Sequence, residues 1–264
     1  MDLKLQDKTA LVTGSTAGIG FAIATLLAQE GVTVIINGRT QQRVFEAINK
    51  IKAVCPTATL LPIAADLTTV EGTEKLIAEF PTVDILVNNL GIYQVKAFND
   101  ITDEEWLHLF NANVMSGVRL SRHYLPQMCK QNWGRIIFIS SESAVQIPME
   151  MIHYGMTKTA QLAIARGLAE MTAGTNVTVN SVLPGPTLTE GVNYYIEHIS
   201  KERNIGLETI EKEFFNTLRP TSILKRFATP EEVASLAVFL CSPLSAGTNG
   251  AALRVDGGTV KSII

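Results

Sequence analysis

Cysteine, charge and long apolar runs are all scarce in this chain. The three cysteines, Cys55, Cys129 and Cys241, are odd in number and scattered. They form no Cys-x-x-Cys and no metal-type spacing to histidine, which excludes a disulfide framework and gives no metal site. Free thiols point to a reducing compartment. No apolar stretch reaches the ~20 residues of a spanning helix, and the opening MDLKLQDKTALVTG mixes acidic and basic residues into its apolar positions. A cytoplasmic protein with no membrane partner is expected. Basic residues are not in excess either: 22 Lys and Arg against 25 Asp and Glu leave a net charge of −3 and a pI near 5.9. That balance argues against nucleic acid as a partner and turns attention to small molecules.

Hydrophobic residues make up 46% and charged residues 18% of the 264 positions, enough apolar surface for a sizeable core. With no repeat, linker or low-complexity tract, one domain over 1–264 is expected. Short β-branched runs alternate with longer stretches of helical period. The predicted strands are Thr9–Thr13, Thr33–Asn37, Thr59–Ala64, Asp84–Val87, Arg135–Ser140, Val177–Val182 and Ala252–Val255. The predicted helices are Ile19–Glu30, Gln41–Val54, Val70–Phe80, Asp103–Gln131, Tyr154–Met171 and Pro230–Leu240. This order predicts an α/β fold: a Rossmann-like, doubly wound, parallel seven-stranded sheet with helices on both faces, a three-layer α/β/α sandwich. Residues 187–228 break the rhythm with a mostly polar, helical stretch. It reads as an excursion covering the substrate side, or else as a surface helical hairpin.

After the first predicted strand comes Thr13-Gly14-Ser15-Thr16-Ala17-Gly18-Ile19-Gly20, then the helical pattern FAIATLLAQEG. Glycines at a strand-to-helix turn let the backbone approach a pyrophosphate, which rests on the positive end of the helix. The second strand ends in Asn37-Gly38-Arg39-Thr40. A carboxylate there would bind the ribose diol of NAD(H), whereas an arginine accepts the 2′-phosphate of NADP(H). The carboxylate is missing and Arg39 is present, with Arg43 one turn on, which favours NADP(H) over NAD(H).

With these motifs the chain resembles the short-chain dehydrogenase/reductase family, almost end to end. The glycine pattern is met by Thr13, Gly14, Gly18 and Gly20, and Asp66 with Leu67 matches the family position that contacts adenine. Asn88-Asn89-Leu90-Gly91 follows the fourth strand, with leucine where the family usually has alanine. The signature Tyr-x-x-x-Lys is met by Tyr154 and Lys158, the family serine by Ser141 thirteen positions earlier, and the helix asparagine by Asn113. Pro184-Gly185-Pro186-Thr187-Leu188-Thr189 follows the sixth strand, and Val255-Asp256-Gly257-Gly258 stands where the family places a subunit interface. The resemblance implies a catalytic set of Asn113, Ser141, Tyr154 and Lys158. It implies a cofactor held by Gly14, Ser15, Gly18, Ile19, Gly20, Arg39, Asp66, Leu67, Asn88, Gly91, Tyr154, Lys158, Pro184, Thr187 and Thr189, the last two on the nicotinamide carboxamide. A homotetramer or dimer is implied as well.

Chemically, reducing a ketone needs a hydride on carbon and a proton on oxygen. A free phenol, with a pKa of about 10, is a poor base for the reverse step. Lys158, one turn along the same helix face, is expected to lower it. Ser141 would hydrogen-bond the substrate oxygen, and Asn113, in mid-helix, would hold a water linking Lys158 to solvent. Glu142 is either a solvated or structural carboxylate or a ligand for a polar substrate group. Ile147, Met149, Met151, Val192, Tyr194, Tyr195 and Phe214 suggest an apolar cavity, and so a small, largely apolar alcohol or carbonyl substrate. Three alternatives stand beside this reading. A 3-oxoacyl-[acyl-carrier-protein] reductase would need a basic docking surface, for which Arg122, Lys130 and Arg135 are candidates, although the turn Ala173-Gly174-Thr175-Asn176 is uncharged. A non-catalytic nucleotide-binding sensor or scaffold would keep the fold without turnover. A serine hydrolase is suggested only by His153 beside Tyr154, and no Gly-x-Ser-x-Gly elbow supports it.

Overall fold

The computed structural model describes residues 2–263, with the side chain of Tyr195 outside the description. Seven parallel strands form one sheet in the order β3-β2-β1-β4-β5-β6-β7. They are β1 (Thr9–Val12), β2 (Thr33–Gly38), β3 (Leu60–Ala64), β4 (Ile85–Asn88), β5 (Gly134–Ile139), β6 (Val177–Pro184) and β7 (Ala252–Val255). Each lies within a residue or two of its predicted range, so the expected doubly wound fold is borne out. Pro62, which cannot donate to a ladder, sits in the edge strand β3 where only one side is paired.

Both faces of these strands are apolar because both are covered. Ala10, Val12, Ile137 and Ile139 point to one layer, against α1 (Gly18–Gln29), α2 (Gln41–Val54) and α9 (Pro230–Cys241). The alternate residues Leu11, Ile136 and Phe138 point to the other, against α3 (Val70–Glu79), α5 (Ser116–Lys130) and α6 (Ile152–Glu170). The chain winds outward from β1 to β3 and then returns to β4, so the winding direction reverses between β1 and β4. The crevice beyond the carboxyl ends of these two strands is where such sheets take ligands.

The predicted helix Asp103–Gln131 is corrected. It is α4 (Asp103–Phe110), a wider π-turn over Asn111–Met115, and then α5. The excursion folds as α7 (Glu190–Arg203) and α8 (Leu207–Thr217), closed at its base by pairing of Thr187 with Ala228. A small separate core of Ile196, Ile210, Phe215 and Phe227 holds it together. Among the described residues no helix is long and apolar enough to cross a membrane.

Arg135, offered above as a docking cation for an acidic carrier, is not on the surface. It is 1% exposed, and its guanidinium donates to the carbonyls of Ser242 at 3.3 Å, Gly134 at 2.8 Å and Asn176 at 2.8 Å. The face of Trp133 covers it at 4.8 Å, and Lys8 lies over the same ring at 4.0 Å. Arg122 and Lys130 are exposed.

Candidate active site

A cavity of about 350 Å³ opens at the carboxyl ends of β1, β4, β5 and β6. Its floor is the turn between β1 and α1, where Gly14 and Gly18 adopt left-handed φ of 61° and 56°. A Cβ on Gly20 would lie 2.6 Å from the Gly14 carbonyl oxygen, so the turn closes only around glycine. Asn89 pins this turn: its Nδ2 donates to the carbonyls of Thr13 at 2.8 Å and Gly14 at 3.2 Å. Ala17 caps α1 without a side-chain hydrogen bond, so the first amides of the helix face the cavity with no internal acceptor. That is an anion cradle, and it fits a dinucleotide pyrophosphate.

The structure brings together Gly14, Gly18, Ile19, Gly20, Gly91, Ser141, Tyr154, Lys158, Pro184, Thr187 and Thr189 on the cavity wall. It leaves others behind or beside that wall. Ser15 is fully buried and its hydroxyl accepts from the Asn37 amide at 2.9 Å. Asn88 is buried and donates to Ser121 at 3.3 Å. Leu67 lies in the core, and Asp66 accepts from the amide and hydroxyl of Thr68. The hydroxyl of Thr189 accepts from the Val192 amide as the cap of α7, and that of Thr187 donates to the Gly185 carbonyl.

Around the end of β2, Asn37 is committed to structure. Its Oδ1 accepts from the Gly14 amide at 3.1 Å and its Nδ2 donates to the Ile63 and Ala65 carbonyls. At the next position a Cβ would meet Thr16 Cγ2 at 2.5 Å, so a side chain in place of Gly38 would require Thr16 to shift. Arg39 is exposed and has neither ion-pair nor hydrogen-bond partner among the described residues.

The chemistry-bearing corner is largely buried. Lys158 is 4% exposed, and burial pushes its ammonium down to about 7. The Tyr154 phenol is pushed well above its usual range, first by burial and then by the nearby Glu142 carboxylate, against which Ser141 and Arg219 act. The expected lowering of the phenol by Lys158 is therefore not found in this state. Nζ sits 5.6 Å from the ring centroid, in the same desolvated corner, where neither charge is cheap.

Glu142 is neither solvated nor free. It is 4% exposed and accepts from the Ser141 hydroxyl at 2.6 Å, the Ser143 amide at 2.9 Å and Arg219 Nε at 3.1 Å. Arg219, which follows α8, also reaches Glu150 at 3.3 Å. Sequence reasoning missed this pair because its members are far apart along the chain. It also missed Asn89 and Gln161, although Gln161 lies three positions past Lys158 on one helix face and could have been noticed there.

Asn113, carried on the π-turn, uses its side chain fully: Oδ1 accepts from the Ile92 amide at 2.8 Å, and Nδ2 donates to the Ile92 carbonyl at 2.9 Å and to Thr157 at 3.0 Å. Its main-chain carbonyl accepts from Gln161 Nε2 at 2.6 Å. His153 is fully buried edge-on to Trp106 at 5.8 Å, with neither ring nitrogen hydrogen-bonded, so no serine has it as a base. Of the residues expected to make an apolar cavity, only Val192 lines it. Met149 and Tyr194 are 84% and 74% exposed, Phe214 packs on Phe215 and Phe227, and the side chain of Tyr195 lies outside the description. Ile92 and Tyr93 supply the apolar wall instead. No cluster of metal-ligating side chains exists among the described residues.

The family model for short chain dehydrogenases matches residues 8–199. The chain is 52% identical over 263 residues to the uncharacterized oxidoreductase YvaG of Bacillus subtilis (strain 168), covering 100% of both. It is 34% identical to the D-beta-hydroxybutyrate dehydrogenase of Cupriavidus necator, covering 97% of this chain and 99% of that one. Among solved structures, L-sorbose reductase from Gluconobacter frateurii, complexed with NADPH and L-sorbose, superposes with a TM-score of 0.92 at 33% identity, covering 100% of both chains.

Proposed function

Since the chain belongs to the short-chain dehydrogenase family and is an oxidoreductase acting on alcohol and ketone groups, we propose that it works with NADP(H) on a small molecule. The observation that carries this reading is one continuous cavity wall running from Gly18–Gly20 to Ser141, Tyr154 and Lys158. When bound, the cofactor supplies or accepts the hydride. The uncapped start of α1 would hold the pyrophosphate, and Thr187 and Thr189 would hold the nicotinamide end.

Tyr154 donates its phenolic proton to the substrate oxygen in reduction and removes it in oxidation. Ser141 turns its hydroxyl from Glu142 to the same oxygen and stabilises the charge that develops there. Glu142 keeps the Ser143 amide and Arg219 as donors while Ser141 is away. Lys158 provides the positive charge that favours the phenolate, and Asn113 braces the Ile92 loop against the catalytic helix through Thr157. Ile92, Tyr93 and Val192 present an apolar flank to the rest of a small alcohol or carbonyl compound. We place the enzyme in the cytoplasm as a homo-oligomer. Exposed Ile223, hydrogen-bonded to the Gly257 carbonyl, would be covered in such an assembly.

The test is purified protein with NADPH and a panel of aldehydes, ketones and diketones. Oxidation of NADPH by part of the panel is expected. Tight NADPH binding with no turnover on any member would instead favour the non-catalytic sensor or scaffold.

Preference for the phosphorylated cofactor rests on the free Arg39 and on the missing carboxylate at Gly38. Arg39→Ala should lower kcat/KM with NADPH roughly tenfold or more, the scale of a lost charge-assisted hydrogen bond, and leave NADH nearly unchanged. An unaltered NADPH-to-NADH ratio would mean that the 2′-phosphate is read by another group.

A further inference from the structure

Lys158 is held by a residue outside the four-residue catalytic set. Its Nζ donates to the Ile139 carbonyl at the end of β5, at 2.9 Å, and to Gln161 Oε1 at 3.2 Å. Gln161 is 1% exposed, and its other end donates to the Asn113 carbonyl at 2.6 Å. That second bond fixes the direction of the amide. A carbonyl can only accept, so the NH₂ must face Asn113 and the oxygen must face the lysine.

An ammonium has three N–H groups, and two of them here are taken by carbonyl oxygens. The third is left for the cavity, on the side where Gly91 has no side chain and a Cβ would stand 3.2 Å from Nζ. A neutral amine in the same place keeps its two donated bonds and loses only the cavity-facing proton. The proton that titrates is therefore the one that faces the reaction. Carbonyl dipoles aimed at Nζ stabilise the charged form, which burial opposes. A glutamine cannot pass a proton along as water can, so its part here is to orient the group and favour its charge.

We propose that Gln161 is a positioning residue of this oxidoreductase: anchored on the carbonyl of the Asn113 π-turn, its amide oxygen holds the Lys158 Nζ in its charged form, third proton toward the cavity. The proposal rests on reading Tyr154 and Lys158 as the catalytic pair. Other ionisable groups around that pair are Tyr93 from the loop after β4, Glu142 from the turn after β5 and Arg219 from the segment after α8. None of them hydrogen-bonds Nζ among the described residues. The π-turn and β5 bring only carbonyls and amides to it.

The test uses the full chain in two variants, Gln161→Leu and Gln161→Glu, with two readouts. The first is the titration of Lys158 in the cofactor-free protein, followed by NMR of chains carrying ¹³C-lysine, with Lys158→Arg assigning the signal. Leucine removes the acceptor, and the Lys158 pKa should fall by about one unit, tenfold in proton affinity. Glutamate keeps an acceptor oxygen in place, and the pKa should stay at or above the wild-type value. The second readout is the pH profile of kcat/KM for NADPH-dependent reduction of the best carbonyl compound in the panel. Its alkaline limb should move down in pH with leucine and stay or move up with glutamate, while NADPH affinity stays within about threefold.

A packing role alone would move both variants the same way, and that result overturns the proposal. So does an unmoved Lys158 titration in both. If Lys158 titrates as expected and the pH profile does not follow, the positioning stands and the catalytic reading of the lysine fails. Should the leucine variant not fold, the glutamate variant decides alone, with a Lys158 pKa below wild type as the overturning result.

Discussion

Phenylalanine at position 154 should leave a protein that binds NADPH within about threefold of the parent and turns over at least about a thousandfold more slowly. A positioned acid or base contributes about 10²- to 10⁴-fold, and the geometry here argues for the upper part of that range. The Ser141 hydroxyl starts on Glu142 at 2.6 Å and serves as a hydrogen-bond donor, and Lys158 keeps two of its donors on carbonyl oxygens and acts through its charge, so neither stands in for the phenol. The substitution removes only the hydroxyl, so the edge-on contact with Tyr93 at 6.3 Å survives and the wall keeps its shape. The readouts are loss of dihydronicotinamide absorbance on mixing with substrate, and NADPH fluorescence titration for binding. Turnover within tenfold of the parent would remove Tyr154 from the chemistry.

The largest expected loss of stability lies far from that site. Arg135 is the largest fully buried side chain among the described residues, and it satisfies three carbonyls from three different segments while stacked on Trp133. Arg135→Ala strands those carbonyls and empties the space under the indole. Cavity formation together with buried unpaired acceptors should cost about 3 to 5 kcal/mol, or roughly 10 °C in Tm for a chain of this size. Arg135 is the second residue of β5 and Ser141 follows the other end of the strand, roughly 20 Å away along it. The folded variant should therefore keep its kcat. A change in Tm below about 2 °C would show that the carbonyls find other donors.

Arg135 also marks the limit of what the chain discloses as a sequence. The strands were legible because a parallel sheet covered on both faces demands runs such as Ile136 to Ile139, and the glycine turn was legible because strand, turn and helix are contiguous. Tyr154 and Lys158 announce themselves through a helical spacing. A guanidinium beginning a strand looks like a surface cation, however, and only the packing of Trp133 and the chain around Ser242 and Asn176 makes it internal. The π-turn is hidden for a similar reason. Its residues Asn111–Met115 have ordinary helical character, and the side-chain bonds of Asn113 on the wider turn reach Ile92 and Thr157, 21 and 44 positions away. The Glu142–Arg219 pair spans 77 positions. Local pattern carries contiguous structure well and carries almost nothing about charges that meet across the fold.

That last pair has a consequence for when the site can work. Arg219 belongs to the excursion, while Glu142 belongs to the sheet-bound turn that carries Ser141. If the excursion swings away, Glu142 loses the one cationic partner it has among the described residues and must draw more strongly on the Ser141 proton, and its charge then acts on Tyr154 without Arg219 to offset it. Both effects make the phenol harder to ionise and take the serine out of use. Seating the excursion reverses them. The seat of the excursion on the sheet and the charge balance beside the catalytic serine are thus one and the same contact.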